Sequence, residues 1–229
     1  MKLILEILKY MKKLLSQMSS SLKSKFGEGW YNLLEDMLTS PYFNQLGHFL
    51  ESRRKSFNVE VYPAKEDVFK AFNLTPLEEV KVVILANSPY YKSNVATGLA
   101  FGVNEYAKMS NSLSDIFKEI EDDIYNGLYL QYDITLEAWA KQGVLLLNSA
   151  LTIEKNRPNS HVIQWETFTK EVLTKLQSID NIIYVLWNVN DLFDSLITNP
   201  TSVIISSEDK VFSKINNQLL LIKKSPIVW

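Results

Sequence analysis

Two hydrophobic periods alternate along most of the chain. Nearly continuous apolar runs occur at Val80–Leu85, Val144–Asn148, Ile182–Trp187 and Ser202–Ser206. A strand covered on both faces has no wet side to present, so such short runs read as buried parallel strands. Between them, apolar residues recur every three to four positions over Leu113–Tyr125, Leu136–Gln142, Trp165–Leu176 and Asp191–Ile197, and a last helix is predicted over Val211–Leu221. That spacing puts the apolar side chains on one face of a helix. Strands alternating with helices predict an α/β fold, a three-layer sandwich with a central four-stranded parallel sheet flanked by helices. Such a sheet binds ligands at the carboxyl ends of its strands. Chemistry is therefore expected in the loops after Leu85, Asn148, Trp187 and Ser206.

The start of the chain is patterned differently. Ile4, Ile7, Leu8, Met11, Leu14, Leu15 and Met18 lie at helical spacing, with Lys2, Lys9, Lys12 and Lys13 among the polar positions. This predicts an amphipathic extension over residues 1–25, joined through Ser16 and Ser19–Ser21 to a main domain over residues 26–229. The stripe is expected to pack on the domain or on a second copy of the chain, making an oligomer through this helix. A partner-binding or membrane-surface helix is the sharper alternative. Glu6 and the lysines interrupt the apolar run, which therefore does not read as a signal peptide. No apolar run reaches spanning length, so no membrane partner is expected and a cytoplasmic location is.

Composition narrows the chemistry. Of 229 residues, 46% are hydrophobic, enough to bury the core of one α/β domain. There is no cysteine, which excludes disulfides, thiolate zinc sites and a cysteine nucleophile. The two histidines, His48 and His161, are too few for a histidine-rich metal site, so no metal and no cofactor is expected. A net charge of −2 argues mildly against a dedicated DNA-binding domain, although a local basic patch is compatible with it.

The first strand runs into Ala86-Asn87-Ser88-Pro89-Tyr90-Tyr91. Pro89 stiffens the turn, and the two tyrosines offer aromatic walls with polar tips. None of the six residues is a general base. Gly98-Leu99-Ala100-Phe101-Gly102-Val103 follows, and the second strand ends on Asn148, whose amide both donates and accepts. An amide, an aromatic ring and small backbone loops suit a flat heterocycle with amide edges.

In these segments the chain resembles family 1 uracil-DNA glycosylases, which remove uracil from DNA. The resemblance spans about Trp30 to Trp229. It is carried by Val61-Tyr62-Pro63, Asp67–Phe72, Lys81–Leu85, Gly98–Phe101, Ser112-Leu113 with Lys118-Glu119, and above all the block Leu136–Asn148. Ser160-His161, Trp165–Thr169 and the closing Pro226-Ile227-Val228-Trp229, near the family's Pro-Ile-Asp-Trp, continue it. The family fold is a small parallel sheet between helices. The resemblance implies a base pocket of Asn87, Tyr90, Tyr91, Phe101 and Asn148. Phe101 matches the ring that stacks on uracil, and Asn148 the residue that reads its edge. Tyr90 matches the tyrosine that blocks thymine's methyl group, and Tyr91 stands where the family has histidine. Plainer readings stay open: Phe101 and Tyr90 as core aromatics, Asn148 as a backbone partner. His161, whose family counterpart is not the catalytic histidine, reads as structural.

The chain departs from the family twice. The family's loop Gly-Gln-Asp-Pro-Tyr-His reads Ala86–Tyr91 here, with Ser88 at the place of the aspartate that positions water and supports the cationic sugar. A serine hydroxyl carries no charge near neutral pH, and losing such a group costs roughly 10²–10³ in rate. The later loop, His-Pro-Ser-Pro-Leu in the family, is replaced by Ser206-Ser207-Glu208-Asp209-Lys210, without the histidine or the wedging leucine. No catalytic residue is thus assigned. The expectation is an inactive pseudoenzyme with a binding or regulatory role, in replication or repair of a bacterial or mobile element, or as a target or decoy for glycosylase inhibitors. Expected partners are single-stranded or uracil-containing DNA, held weakly, and a protein such as a glycosylase inhibitor or a replication protein. The alternative is an active glycosylase removing uracil or a related base with altered water activation.

Overall fold

The computed structural model describes residues 6, 20–128, 131–189, 191–205, 207 and 210–229. The stripe of residues 4–18, apart from position 6, lies outside them, as do Ser206, Glu208 and Asp209. The described chain enters as a helix over residues 20–26, whose Phe26 is already fully buried.

Four parallel strands form the central sheet: β2 (Val82–Ala86), β3 (Val144–Asn148), β5 (Ile183–Leu186) and β6 (Val203–Ile205), in the order β3-β2-β5-β6. Every residue of β2 and β3 is buried, so these strands have no polar face. Their register runs from Val82 beside Val144 to Ala86 beside Asn148. A separate antiparallel pair joins β1 (Val61–Tyr62) to β4 (Ile153–Glu154).

Helices cover the sheet. α1 (Glu28–Leu38), α2 (Pro41–Lys55) and α6 (Val162–Leu176) pack together. Their layer encloses an aromatic cluster in which Trp30 meets Phe72 edge-on at 5.0 Å and Trp165 meets Phe168 at 5.4 Å. The short α3 (Lys70–Leu74) contributes Phe72. α4 (Asn111–Ile124) pairs with the final α7 (Val211–Leu221). α4 buries Leu113, Ile116, Phe117 and Ile120, the i, i+3, i+4, i+7 stripe of one helical face. Its start is capped by Ser110, whose Oγ accepts the Leu113 N–H at 3.1 Å and satisfies one of the helix's unpaired donors.

The three-layer α/β sandwich expected from the pattern is the fold observed, and two elements differ in detail. Residues 191–197 form no α-helix but a 3-10 turn at Asp194–Leu196. Phe193 is the one fully buried residue of this segment, with Leu196 and Ile197 only partly covered, so no continuous apolar face holds a longer helix on the core. The pattern at Leu136–Gln142 condenses to a single turn, α5 (Glu137–Ala140), entered through Leu136 at φ 60° and closed by Gly143 at φ 97°.

Candidate functional site

β2, β3 and β5 end on the same side of the sheet, and their ends are locked together. Ser149 N–H donates to the Ala86 carbonyl at 2.7 Å, and Ala150 N–H to that of Asn87 at 3.0 Å. Ser149 Oγ donates to the Asn87 carbonyl at 2.6 Å, and Trp187 N–H to that of Leu85 at 2.7 Å. The loop after β2 is thereby fixed against both neighbouring strands. At this edge lies a cavity of about 160 Å³, below the roughly 300–1,000 Å³ of pockets for drug-sized ligands and suited to a single ring. Asn87, Ser88, Tyr90, Phe101 and Asn148 all line it.

Asn148 ends β3 and is 4% exposed. Among the described residues its carboxamide forms no hydrogen bond, and the residue lines the cavity, where an amide can both donate and accept.

Phe101 adopts φ 63°, a left-handed conformation that is strained for a bulky side chain. A chain of hydroxyls holds it there. Tyr90 Oη donates to the Phe101 carbonyl at 3.0 Å and accepts from Ser110 Oγ at 2.7 Å, while Ser110 in turn accepts from Leu113. Burial pushes the Tyr90 phenol above its ordinary pKa, which keeps it protonated and able to donate. Ala100 N–H also donates to Leu146 at 3.0 Å, tying the segment to β3. The Phe101 ring meets Trp187 edge-on at 5.4 Å.

Tyr91 is placed apart from the other four pocket candidates. It is 40% exposed and lines a neighbouring groove, with its carbonyl accepting from Asn156 N–H at 2.9 Å. Trp187, Asn188 and Ser112 also line the cavity and are not among the pocket residues the resemblance implies. The first two lie at the strand end and loop where the sheet pattern places chemistry, without a motif that picks them out. Among the described residues, no carboxylate and no histidine lines the cavity. His161 lies elsewhere, 1% exposed at the start of α6. Thr152 Oγ1, which accepts from Trp165 Nε1 at 2.7 Å, donates to His161 Nδ1 at 2.8 Å. His161 Nε2–H is left to face Glu154 at 3.3 Å. The Glu154 carboxylate can only accept, which puts the proton of the neutral ring on Nε2 and leaves Nδ1 to accept from Thr152, and burial holds the imidazole pKa below its usual value.

The site is thus a single-ring cavity at the strand ends of a parallel sheet in an α/β protein, walled by aromatic rings and an amide. No protein-family model matches the chain. It is 37% identical over 222 residues to the uracil-DNA glycosylase of Clostridium perfringens, covering 90% of this chain and 97% of that one. It is 43% identical over 169 residues to that of Fusobacterium nucleatum, covering 73% of each. Mimivirus uracil-DNA glycosylase superposes with a TM-score of 0.79 at 25% identity, over 89% of this chain and 87% of that one. The chain belongs to the uracil-DNA glycosylase family. This corrects the expectation of an inactive pseudoenzyme. That expectation rested on Ser88 and the 206–210 loop, two short segments, whereas relatives bearing the glycosylase name match along nine-tenths of the chain. The similarity points to an active glycosylase.

Proposed function

We propose that this protein is a DNA glycosylase that removes uracil, or a closely related base, with its attacking water held by neutral groups instead of a carboxylate. In the reaction the bond between the base and sugar C1′ breaks and its electrons leave with the base. Water oxygen bonds to C1′, and a water proton is taken up by the departing base. Asn148 supplies an N–H to a base carbonyl and an oxygen to the base's ring N–H, a pairing that cytosine does not match. Phe101 offers a ring face for stacking. Tyr90 occupies the side where a methyl group would enter. Asn87 and Ser88 are the polar groups suited to binding the water. The position of Asn148, at the end of β3 in the wall of a single-ring cavity with Phe101 and Tyr90, is the observation that supports this reading most.

The test is a gel assay on a uracil-containing single strand. Alkali-cleavable abasic sites should form above background and disappear in Asn148→Ala. Absence of such sites in the wild-type protein would overturn the proposal. A point variant of the mimivirus protein has been crystallised in complex with UGI, at a TM-score of 0.80 to this chain. We extend that inhibitor class to this chain as a protein partner, and stoichiometric UGI should then abolish uracil release. A cytoplasmic site of action accords with this role, and no helix among the described residues is long and apolar enough to cross a membrane.

A further inference from the structure

A second cavity, of about 380 Å³, opens among the helix of residues 20–26, α2 and the segment before α3. It shares no described lining residue with the base cavity, and its volume suits a small molecule. Its walls are apolar, formed by Leu22, Phe43, Leu46, Leu50, Phe69 and Trp165. Gly47, inside α2, lines it as well. Glycine is a poor residue for a helix interior. A Cβ at Gly47 would meet nothing within 4 Å, so no neighbour in the chain requires its absence. The glycine instead leaves room in the cavity wall that a side chain would take. Among the described residues the charged lining is three cations, Lys25, Arg54 and Lys65, against one carboxylate, Glu51. Glu51 is engaged by Lys65 and, at 3.8 Å, by Lys55. Arg54 Nη1 and Nη2 donate to the Val61 and Pro63 carbonyls at 2.9 and 2.8 Å, which fixes the guanidinium without neutralising it. Lys25 is exposed.

We infer that this cavity is a binding site for a small amphipathic anion, a medium-chain carboxylate in chemical class, with its apolar chain against the walls and its acidic head at Lys25 and Arg54. The site is separate from base recognition and does not rest on the glycosylase reading. A neutral hydrocarbon would use the walls and leave the cations idle, and a fully polar anion would do the reverse. A molecule with both parts takes its chain out of water and answers the positive lining. The Arg54 guanidinium keeps further N–H groups beyond the two already engaged, and its fixed fork loses little freedom on taking a carboxylate. The chain's own stripe of residues 4–18 is a poor occupant, because Lys9, Lys12 and Lys13 would bring like charge to this lining.

The experiment is isothermal titration calorimetry of the full chain with sodium octanoate and, as the uncharged counterpart, 1-octanol. Octanoate should bind saturably at one site, and more tightly than octanol. Gly47→Leu should weaken octanoate by at least about tenfold, because its side chain takes the ligand's room. This variant should melt at or above the wild-type temperature, since leucine is the better helix former and its Cβ meets no neighbour. Lys25→Gln should weaken octanoate about two- to fivefold, the worth of one exposed ion pair, and leave octanol unchanged. Octanoate that shows no saturable binding, or that binds a folded Gly47→Leu as tightly as the wild type, would overturn the site. Octanol binding as tightly as octanoate, or a Lys25→Gln variant that weakens both equally, would overturn the anion as its ligand.

Discussion

Ser88 lines the cavity with Asn148, Phe101 and Tyr90, and among the described residues no charged group lines it. A hydroxyl can hold water in place but cannot offset positive charge growing on the sugar. Ser88→Asp should therefore raise the single-turnover rate of uracil release by roughly 10²–10³, the usual worth of one well-placed electrostatic group. The rate should also gain a dependence on pH as the new carboxyl ionises. An unchanged or lower rate in a folded Ser88→Asp variant would show that this position does not face the sugar. Asn87, Asn148, Tyr90 and Phe101 were legible as pocket residues because each sits at or just past a strand end or in a family segment. Tyr91 was less so. Past the first residues of a loop, neither helical nor strand period says which way a side chain points, and the fixed Asn156–Tyr91 backbone bond turns this one toward the groove.

At the scale of elements, the strands were readable because both faces of β2 and β3 are covered, leaving uninterrupted apolar runs. α2 was not read from the pattern, although Phe43, Leu46, Phe49 and Leu50 recur at helical spacing and pack on the core, with only Leu46 fully buried. A half-buried stripe among polar residues gives a weaker contrast than the uninterrupted strands. The segment bearing Phe101 depends on a different kind of constraint. Gly98 lies at φ 88°, and a Cβ there would fall 2.0 Å from the Asp67 carbonyl oxygen. Asp67 ends a 3-10 turn (Lys65–Asp67), so the obstacle is backbone that cannot swing aside. Gly98→Ala combines a left-handed penalty with this clash and should cost about 3 kcal/mol or more. In a domain of this size that lowers the melting temperature by roughly 6–12 °C, measurable by calorimetry. A variant melting within a degree of the wild type would mean that the segment can shift without loss.

Across the whole molecule, one ionic network centred on the buried Glu154 joins parts far apart in sequence and reaches the site's outer edge. Arg53 of α2 meets Glu154 of β4 at 2.6 Å, Arg157 meets its other oxygen at 2.7 Å, and His161 at the start of α6 faces it. The same β4–α6 connection supplies Asn156, which holds Tyr91, and Asn159, whose Oδ1 accepts from Asn87 Nδ2 at 3.4 Å. Hydrogen bonding from Arg53, joined by Arg157 and His161, lowers the Glu154 carboxyl from 4.5 to about 2. A pKa lower in the folded state than in the unfolded chain gives stability that is present above about pH 4.5 and lost as the pH falls toward 2. The difference corresponds to on the order of 3 kcal/mol. His161 acts in the same direction at higher pH. Burial depresses its pKa from 6.5, so the unfolded chain takes up a proton that the folded one refuses, and stability begins to fall below that pH. Urea unfolding of the wild-type protein should therefore show stability declining in two stages on acidification, below about pH 6.5 and again below about pH 4.5. Glu154→Gln should be less stable than the wild type at pH 7, and the gap should close between about pH 4.5 and 2, because protonation removes the same charge from the wild-type residue. A gap that stays constant over that range would show that the network's charge contributes nothing to the fold and that Glu154 serves only as a neutral hydrogen-bond acceptor for its neighbours.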